Sequence, residues 1–126
     1  MITFSHNPLY SISTLLQSFS KDLLANNERD VEKVLEDLKK YNSVLQNLVK
    51  ELSNIKKTTV QMHGSYSFSF TSLASQLNVL ARQCLAYNVA EIEKLLEDVH
   101  KTIEGINKLS EKLHGERLLQ NYEDTH

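Results

Sequence analysis

The sequence predicts an all-α protein, either an elongated antiparallel helical hairpin or a small three- or four-helix bundle with coiled-coil heptad packing. The 126 residues contain one proline and three glycines, so few positions interrupt a helix. Apolar residues recur in steps of three and four over most of the chain, which is the period of one helix face. A chain of this length can bury a substantial core, so we expect a single helical domain over residues 1–126.

The first helical arm is predicted over residues 8–57. It begins at Asn7-Pro8, because asparagine caps free backbone N–H groups and proline has the φ angle of a first helical residue. The apolar pattern shifts by one residue near Asn26-Asn27. There the helix either bends, or the chain reverses and Asn27 caps a second helix. The apolar a and d positions of the heptads, called the seam below, are in this arm Leu9, Ile12, Leu16, Phe19, Leu23, Val31, Val34, Leu38, Tyr41, Leu45, Leu48, Leu52 and Ile55.

Residues 58–70 break the helical pattern and are predicted to form a connector. Tyr66, Phe68 and Phe70 alternate with serines, and an alternation with period two is compatible with a strand. No second strand is evident, so we expect a connector that is anchored by the three rings. The rings either close the end of the bundle, or form a hydrophobic peptide for a partner's groove or a membrane interface.

The second arm is predicted over residues 71–119, with a frayed tail over 120–126. Its pattern shifts by one residue around Asn88, where neither proline nor glycine occurs, so we expect the helix to continue. Gly115 is predicted to be the C′ residue at the end of the helix. The seam positions of this arm are Leu73, Leu77, Leu80, Cys84, Tyr87, Ile92, Leu95, Val99, Ile106, Leu109 and Leu113.

Charge is distributed unevenly along the chain. The formal net charge is −2 and no basic tract occurs, which argues against a nucleic-acid-binding protein. Residues 1–20 carry no Asp, Glu, Lys or Arg, and between Met62 and Ala90 the only one is Arg82. Because solvated helix faces normally carry charge, both stretches are candidates for burial. They would partly adjoin if the first arm folds back near Asn26-Asn27, and would otherwise lie at opposite ends of a hairpin.

Two Glu-x-x-His pairs, Glu97 with His100 and Glu111 with His114, have the spacing that helical bundles use to bind two metal ions. Such centres need the pairs on separate helices, whereas both pairs fall on one predicted helix and opposite its seam. We therefore interpret them as surface residues. Cys84 has no histidine within two helical turns and is interpreted as a small buried apolar residue. The sequence thus predicts no catalytic, cofactor-binding or metal site, and no enzyme.

The best functional hypothesis is a non-enzymatic coiled-coil interaction or scaffold subunit of a multi-protein intracellular assembly of the trafficking, tethering or cytoskeletal type. Its partners would be other helical protein chains, identical or different, and neither a nucleic acid nor a small-molecule substrate. The sequence contains no run of about eighteen apolar residues and no signal or transit peptide pattern, so we expect a cytoplasmic protein without a transmembrane segment. The alternative is a self-contained helical-bundle homodimer that acts as an adaptor, chaperone or regulator.

Overall fold

The computed structural model describes residues 7–26, 30–57 and 66–124, which form a small helical bundle. Its α-helices are α1 (Tyr10–Asn26), α2 (Val31–Ile55), α3 (Phe70–Leu85) and α4 (Ile92–Asp124). A short 3-10 turn over Val89–Glu91 precedes α4. No strand occurs within the described ranges. The predicted all-α class and bundle packing are confirmed.

Helix α3 lies antiparallel to both α1 and α4. On one side, the Ser13 and Ser20 hydroxyls of α1 donate to the carbonyl oxygens of Ala81 and Ala74, in reverse order along the chain. On the other side, α3 and α4 are joined by polar side chains. The Gln83 amide donates to Asp98 and the Gln76 amide to Thr102, at 2.8 and 3.1 Å. These bonds fix the register of α3 between its two neighbours.

Helices α2 and α4 form the second antiparallel pair. An ion pair joins Lys56 at the end of α2 to Glu93 at the start of α4, and Asn42 donates to Asn107 further along both helices. If α1 points up, α3 points down, α4 up and α2 down. The order is therefore up-down-down-up, and the chain reverses between α1 and α2.

The core contains most of the predicted seam, together with Ala74, Ala81, Leu96 and Ile103. The α2 seam, for example, buries Val34, Leu38, Tyr41, Leu45, Leu48 and Leu52. Near the middle, the Phe19 and Tyr41 rings stack with their centroids 4.3 Å apart, and the Tyr41 hydroxyl donates to the Phe19 carbonyl. Burial, followed by the neighbouring carboxylates of Asp37 and Asp22, raises the pKa of Tyr41. The ring therefore remains neutral, as a buried group without a cationic partner must.

The helix starts are capped by short polar side chains. Asn7 accepts from the Leu9 N–H through Oδ1, and its amide donates to the carbonyls of Cys84 and Leu85 at the end of α3. Asp30, and not Asn27, caps α2 by accepting from the Lys33 N–H. Ser69 and Ser72 form a capping box at the start of α3. Asn7 therefore satisfies backbone groups at the beginning of one helix and at the end of another.

Two predictions about the second arm are wrong. The helix does not continue through Asn88, because α3 ends at Leu85 and Asn88 caps the next turn by accepting from the Ala90 N–H. Asparagine can end and restart a helix without proline or glycine, because its side chain replaces a backbone partner. Gly115 does not end α4, which continues to Asp124 and so through much of the expected frayed tail. A glycine inside a helix costs only about 1 kcal/mol, too little to end one alone.

The end of the connector lies along α4. Residues 58–65, the larger part of the predicted connector, lie outside the described residues. The Tyr66 N–H donates to the Glu104 carboxylate, which also binds Lys108 at 3.0 Å. The hydrogen bond from Lys108, and then that from Tyr66, lowers the pKa of Glu104. Lys101 lies 5.1 Å from the centroid of the Tyr66 ring, in cation–π geometry. Tyr66, in the described end of the connector, is thus held on α4 by a backbone and a ring contact together.

Candidate interaction surface

The predicted interface residues lie inside the chain's own bundle. Among the seam positions, Ile12, Val31, Ile55 and Tyr87 are partly buried and all the others are buried. Of the three predicted anchors, Phe68 and Phe70 pack at the edge of the core, and Tyr66 lies beside α4. The seams therefore join helices of one chain to each other. Any surface for a partner has to be found on the outside of the bundle.

Helices α1 and α3 pack unusually closely, because small residues line their contact. Ser13 and Ser20 are seven residues apart on α1, and Ala74 and Ala81 are seven apart on α3. Both serine hydroxyls reach the opposite backbone at 2.7 Å, which requires the two helix backbones to lie near each other. The pair therefore presents a continuous two-helix surface without a deep groove between its members.

The exposed residues of α1 and α3 form what we call the α1/α3 face. Two rows of large or polar side chains run along it. Tyr10, Gln17 and Leu24 recur every seven residues on α1, and Asn78 and Leu85 do so on α3. Gln17 and Leu24 follow the two contact serines by four residues, and Asn78 and Leu85 follow the two contact alanines by four. Since the helices are antiparallel, these offsets place both rows on the same outer side of the pair.

Large apolar side chains are exposed on α1, on α3 and in the turn after α3. Among the described residues they are Tyr10 (59% exposed), Leu15 (40%), Leu24 (51%), Leu85 (49%) and Val89 (51%). Four belong to α1 or α3, and Val89 lies in the turn that follows α3. Three of them, Tyr10, Leu85 and Val89, are near the end where Asn7 joins α1 to α3. Neither α2 nor the described side chains of α4 expose a large apolar residue.

Charge is almost missing from the same face. The exposed ionisable residues of α1 and α3 are Lys21, Asp22 and Arg82, and the other exposed positions are mainly serine, threonine, asparagine and glutamine. The exposed positions of α2 are mostly charged. They include Glu32, Lys33, Glu36, Lys39, Lys40, Lys50 and Glu51. The bundle is therefore two-sided, with a charged α2/α4 side and a nearly uncharged α1/α3 side. The described parts of the two uncharged stretches adjoin where α1 contacts α3, and the chain reverses between α1 and α2.

Groups that could support catalysis are separated. His100 is partly buried and His114 is exposed, both on α4 with their glutamates. Within the described ranges, no three His, Cys, Asp or Glu side chains lie close enough together to hold a metal ion. A cleft of about 380 Å³ lies between the starts of α2 and α3 and the end of α4, and its charged groups are Lys112 and Glu116. Its hydroxyl groups are those of Ser69 and Thr71, and the Ser69 hydroxyl is engaged in the capping box of α3.

Cys84 should be a sensitive reporter of bundle opening. It is fully buried, and burial raises the pKa of its thiol from 9.0 to about 12. The thiolate is the reactive form, so at pH 8 the folded protein should react with iodoacetamide at least about a hundredfold more slowly than the urea-unfolded chain. Because the folded pKa is the raised one, stability should fall as the pH rises from 9 toward 12. Labelling at the same rate with and without urea would contradict the burial of Cys84.

The sequence analysis missed the exposed apolar residues but found the uncharged stretches that contain four of the five, since Leu24 follows Lys21 and Asp22 and lies outside them. Leu24 and Leu85 do not follow the seam period, and Tyr10 and Val89 lie beside turns, so periodicity alone did not separate them from ordinary surface residues. The available signal was their coincidence with segments that lack charge. No described helix is both long and apolar enough to span a bilayer. Comparison with known protein families, with curated proteins and with solved structures finds no match to this chain.

Proposed function

We propose that the protein is a non-enzymatic interaction subunit that docks other helical protein chains through its α1/α3 face. The observation that carries this proposal is the two-sided surface, on which exposed apolar side chains coincide with a near absence of charge. Exposed apolar patches bordered by polar residues mark interaction sites on proteins, and the centres of interfaces are depleted of charged residues. The α1/α3 face has both properties.

The assembly that we propose is an intracellular, cytoplasmic scaffold of the trafficking, tethering or cytoskeletal type. Helical partners suit the α1/α3 face, because two closely packed helices present ridges of side chains at i and i+7 that a third helix can follow. The second candidate function is a self-contained homodimer that acts as an adaptor, chaperone or regulator. It is favoured by the complete burial of most seam residues within one chain, which requires no partner for folding.

The proposal is tested by placing charge on one side of the bundle at a time. In the first variant, Leu24→Lys and Leu85→Lys add two charges to the α1/α3 face. In the control, Asn47→Lys and Asn54→Lys add the same two charges to exposed positions of α2. Each tagged protein is isolated from its native cells, and the co-purifying proteins are measured against the wild type.

We expect the recovery of every stoichiometric partner to fall at least about tenfold in the first variant and to stay unchanged in the control. A tenfold loss of affinity corresponds to about 1.4 kcal/mol, the contribution of one interface contact. Thermal melting of the two variants would show that both remain folded, since all four positions are exposed. Equal loss in both variants, or retention of the partners in both, would refute docking through the α1/α3 face.

A further inference from the structure

We infer that the occupant of the α1/α3 face is a second copy of this chain, docked through its own α1/α3 face. The inference rests on the proposed function, because it names the partner of the same surface. The composition of the α1/α3 face suits contact with a second α1/α3 face better than contact with the charged α2/α4 side.

The few charges of the face make it compatible with itself. Lys21, Asp22 and Arg82 are its exposed ionisable residues, and both signs are present. Bringing two such faces together removes few charged groups from water, so the desolvation cost is small. The exposed leucines and the tyrosine gain burial in return. Serine, threonine, asparagine and glutamine on the two faces can donate and accept hydrogen bonds to one another, since these side chains act in both roles.

Docking of the face onto the opposite side of another copy is disfavoured. Most exposed positions of α2 are lysines or glutamates, and covering them with uncharged helices would remove water from those groups without providing opposite charges. Such a head-to-tail contact would also leave a free face at each end, so that two copies could not satisfy each other and the assembly would grow into a ring or a filament. A contact between two like faces closes after two copies.

The size of the face suits a reversible dimer. Helix α1 has 17 residues and is therefore about 25 Å long, and two adjacent helices are about 20 Å wide. The footprint is about 500 Å² on each copy, or about 1,000 Å² in total, which is the lower limit for a specific interface. We therefore expect association to depend on concentration in the micromolar range.

The test is the mass of the purified full chain, measured by sedimentation equilibrium from about 5 to about 200 μM, across the expected dissociation constant. The wild type should pass from the 14.5 kDa monomer toward twice that mass. Gln17→Glu with Asn78→Glu places four like charges in the middle of the proposed interface. This variant should weaken association at least tenfold. The matched control, Asn47→Glu with Asn54→Glu on α2, should associate like the wild type.

Mixing variants of opposite charge distinguishes a loss of association from a loss of folding, because two unfolded variants could not form a dimer together. Gln17→Lys with Asn78→Lys should also remain monomeric alone, whereas an equimolar mixture of the glutamate and lysine variants should form a mixed dimer. A wild type that stays at 14.5 kDa throughout, or a mixture that stays monomeric, would overturn the second-copy inference. If such a monomer still loses its cellular partners through Leu24→Lys and Leu85→Lys, the proposed function stands and only the identity of the occupant is wrong.

Discussion

Replacing Ala81 with leucine is expected to lower the free energy of unfolding by about 3 kcal/mol or more, since overfilling a close contact strains both helices. Ala81 is fully buried, and its carbonyl accepts the Ser13 hydroxyl at 2.7 Å. A leucine side chain would have to push α1 away from α3, which breaks this bond and the equivalent one at Ser20. Urea unfolding followed by circular dichroism measures the effect.

The matched control is Ala25→Leu, the same substitution at an exposed position of α1. It should change stability by no more than about 0.5 kcal/mol. Ser13→Ala is a milder test at the close contact, because it removes one buried hydrogen bond and keeps the small size. It should cost about 1 kcal/mol. If Ala81→Leu were as well tolerated as Ala25→Leu, the close approach of α1 and α3 would be wrong.

Alanine at the two glycines of α4 is expected to change stability in opposite directions. At Gly115 no atom lies in the space that a Cβ would occupy, so Gly115→Ala should stabilise the helix by up to about 1 kcal/mol. At Gly105 the added Cβ would overlap the ring of Phe68. Gly105→Ala should therefore displace the ring. The net loss of stability should be about 1 kcal/mol, a value that already includes the gain in helix propensity.

A double-mutant cycle separates the clash from any other effect at residue 105. In a Phe68→Ala background the obstacle is removed, so the further change Gly105→Ala should become neutral or stabilising. The two substitutions should then be non-additive by about 1–2 kcal/mol, which is typical of residues in contact. Additive effects would mean that Phe68 does not pack on Gly105. Thermal and urea unfolding of the four proteins provide the measurement.

The helix periodicity predicted the core well, because burial in a bundle depends mainly on which face of a helix a residue occupies. Tyr41 and Leu45 were placed correctly by spacing alone, as was Cys84. Shifts in the same apolar pattern also marked the places where the chain reverses. A one-residue shift of the pattern occurs near Asn26-Asn27 and near Asn88, and the chain turns at both. The second was interpreted as a continuous helix because asparagine is a weaker breaker than proline or glycine.

The pairing of the helices depends on features that periodicity does not measure. Sequence neighbours α1 and α2 do pack together, but the closest contact of α1 is with α3, through Ser13, Ser20, Ala74 and Ala81. Small residues repeated every seven positions on both helices were the available signal. The role of Gly105 was not accessible at all, because the Phe68 ring reaches it only through the path of the connector.

The up-down-down-up order has a consequence for how the chain folds during synthesis. The bonds that join α1 to α3 connect residues 54 and 68 positions apart, whereas α3 and α4 are linked over 15 and 26. Closing a long loop costs more entropy and slows folding, so the α3–α4 hairpin should form faster than the α1–α3 contact. Helix α1 leaves the ribosome first, yet its closest neighbour follows dozens of residues later. During that delay α2 is the neighbour available to α1, through the Phe19–Tyr41 contact, and the side of α1 that carries Ser13 and Ser20 stays uncovered until α3 has been made.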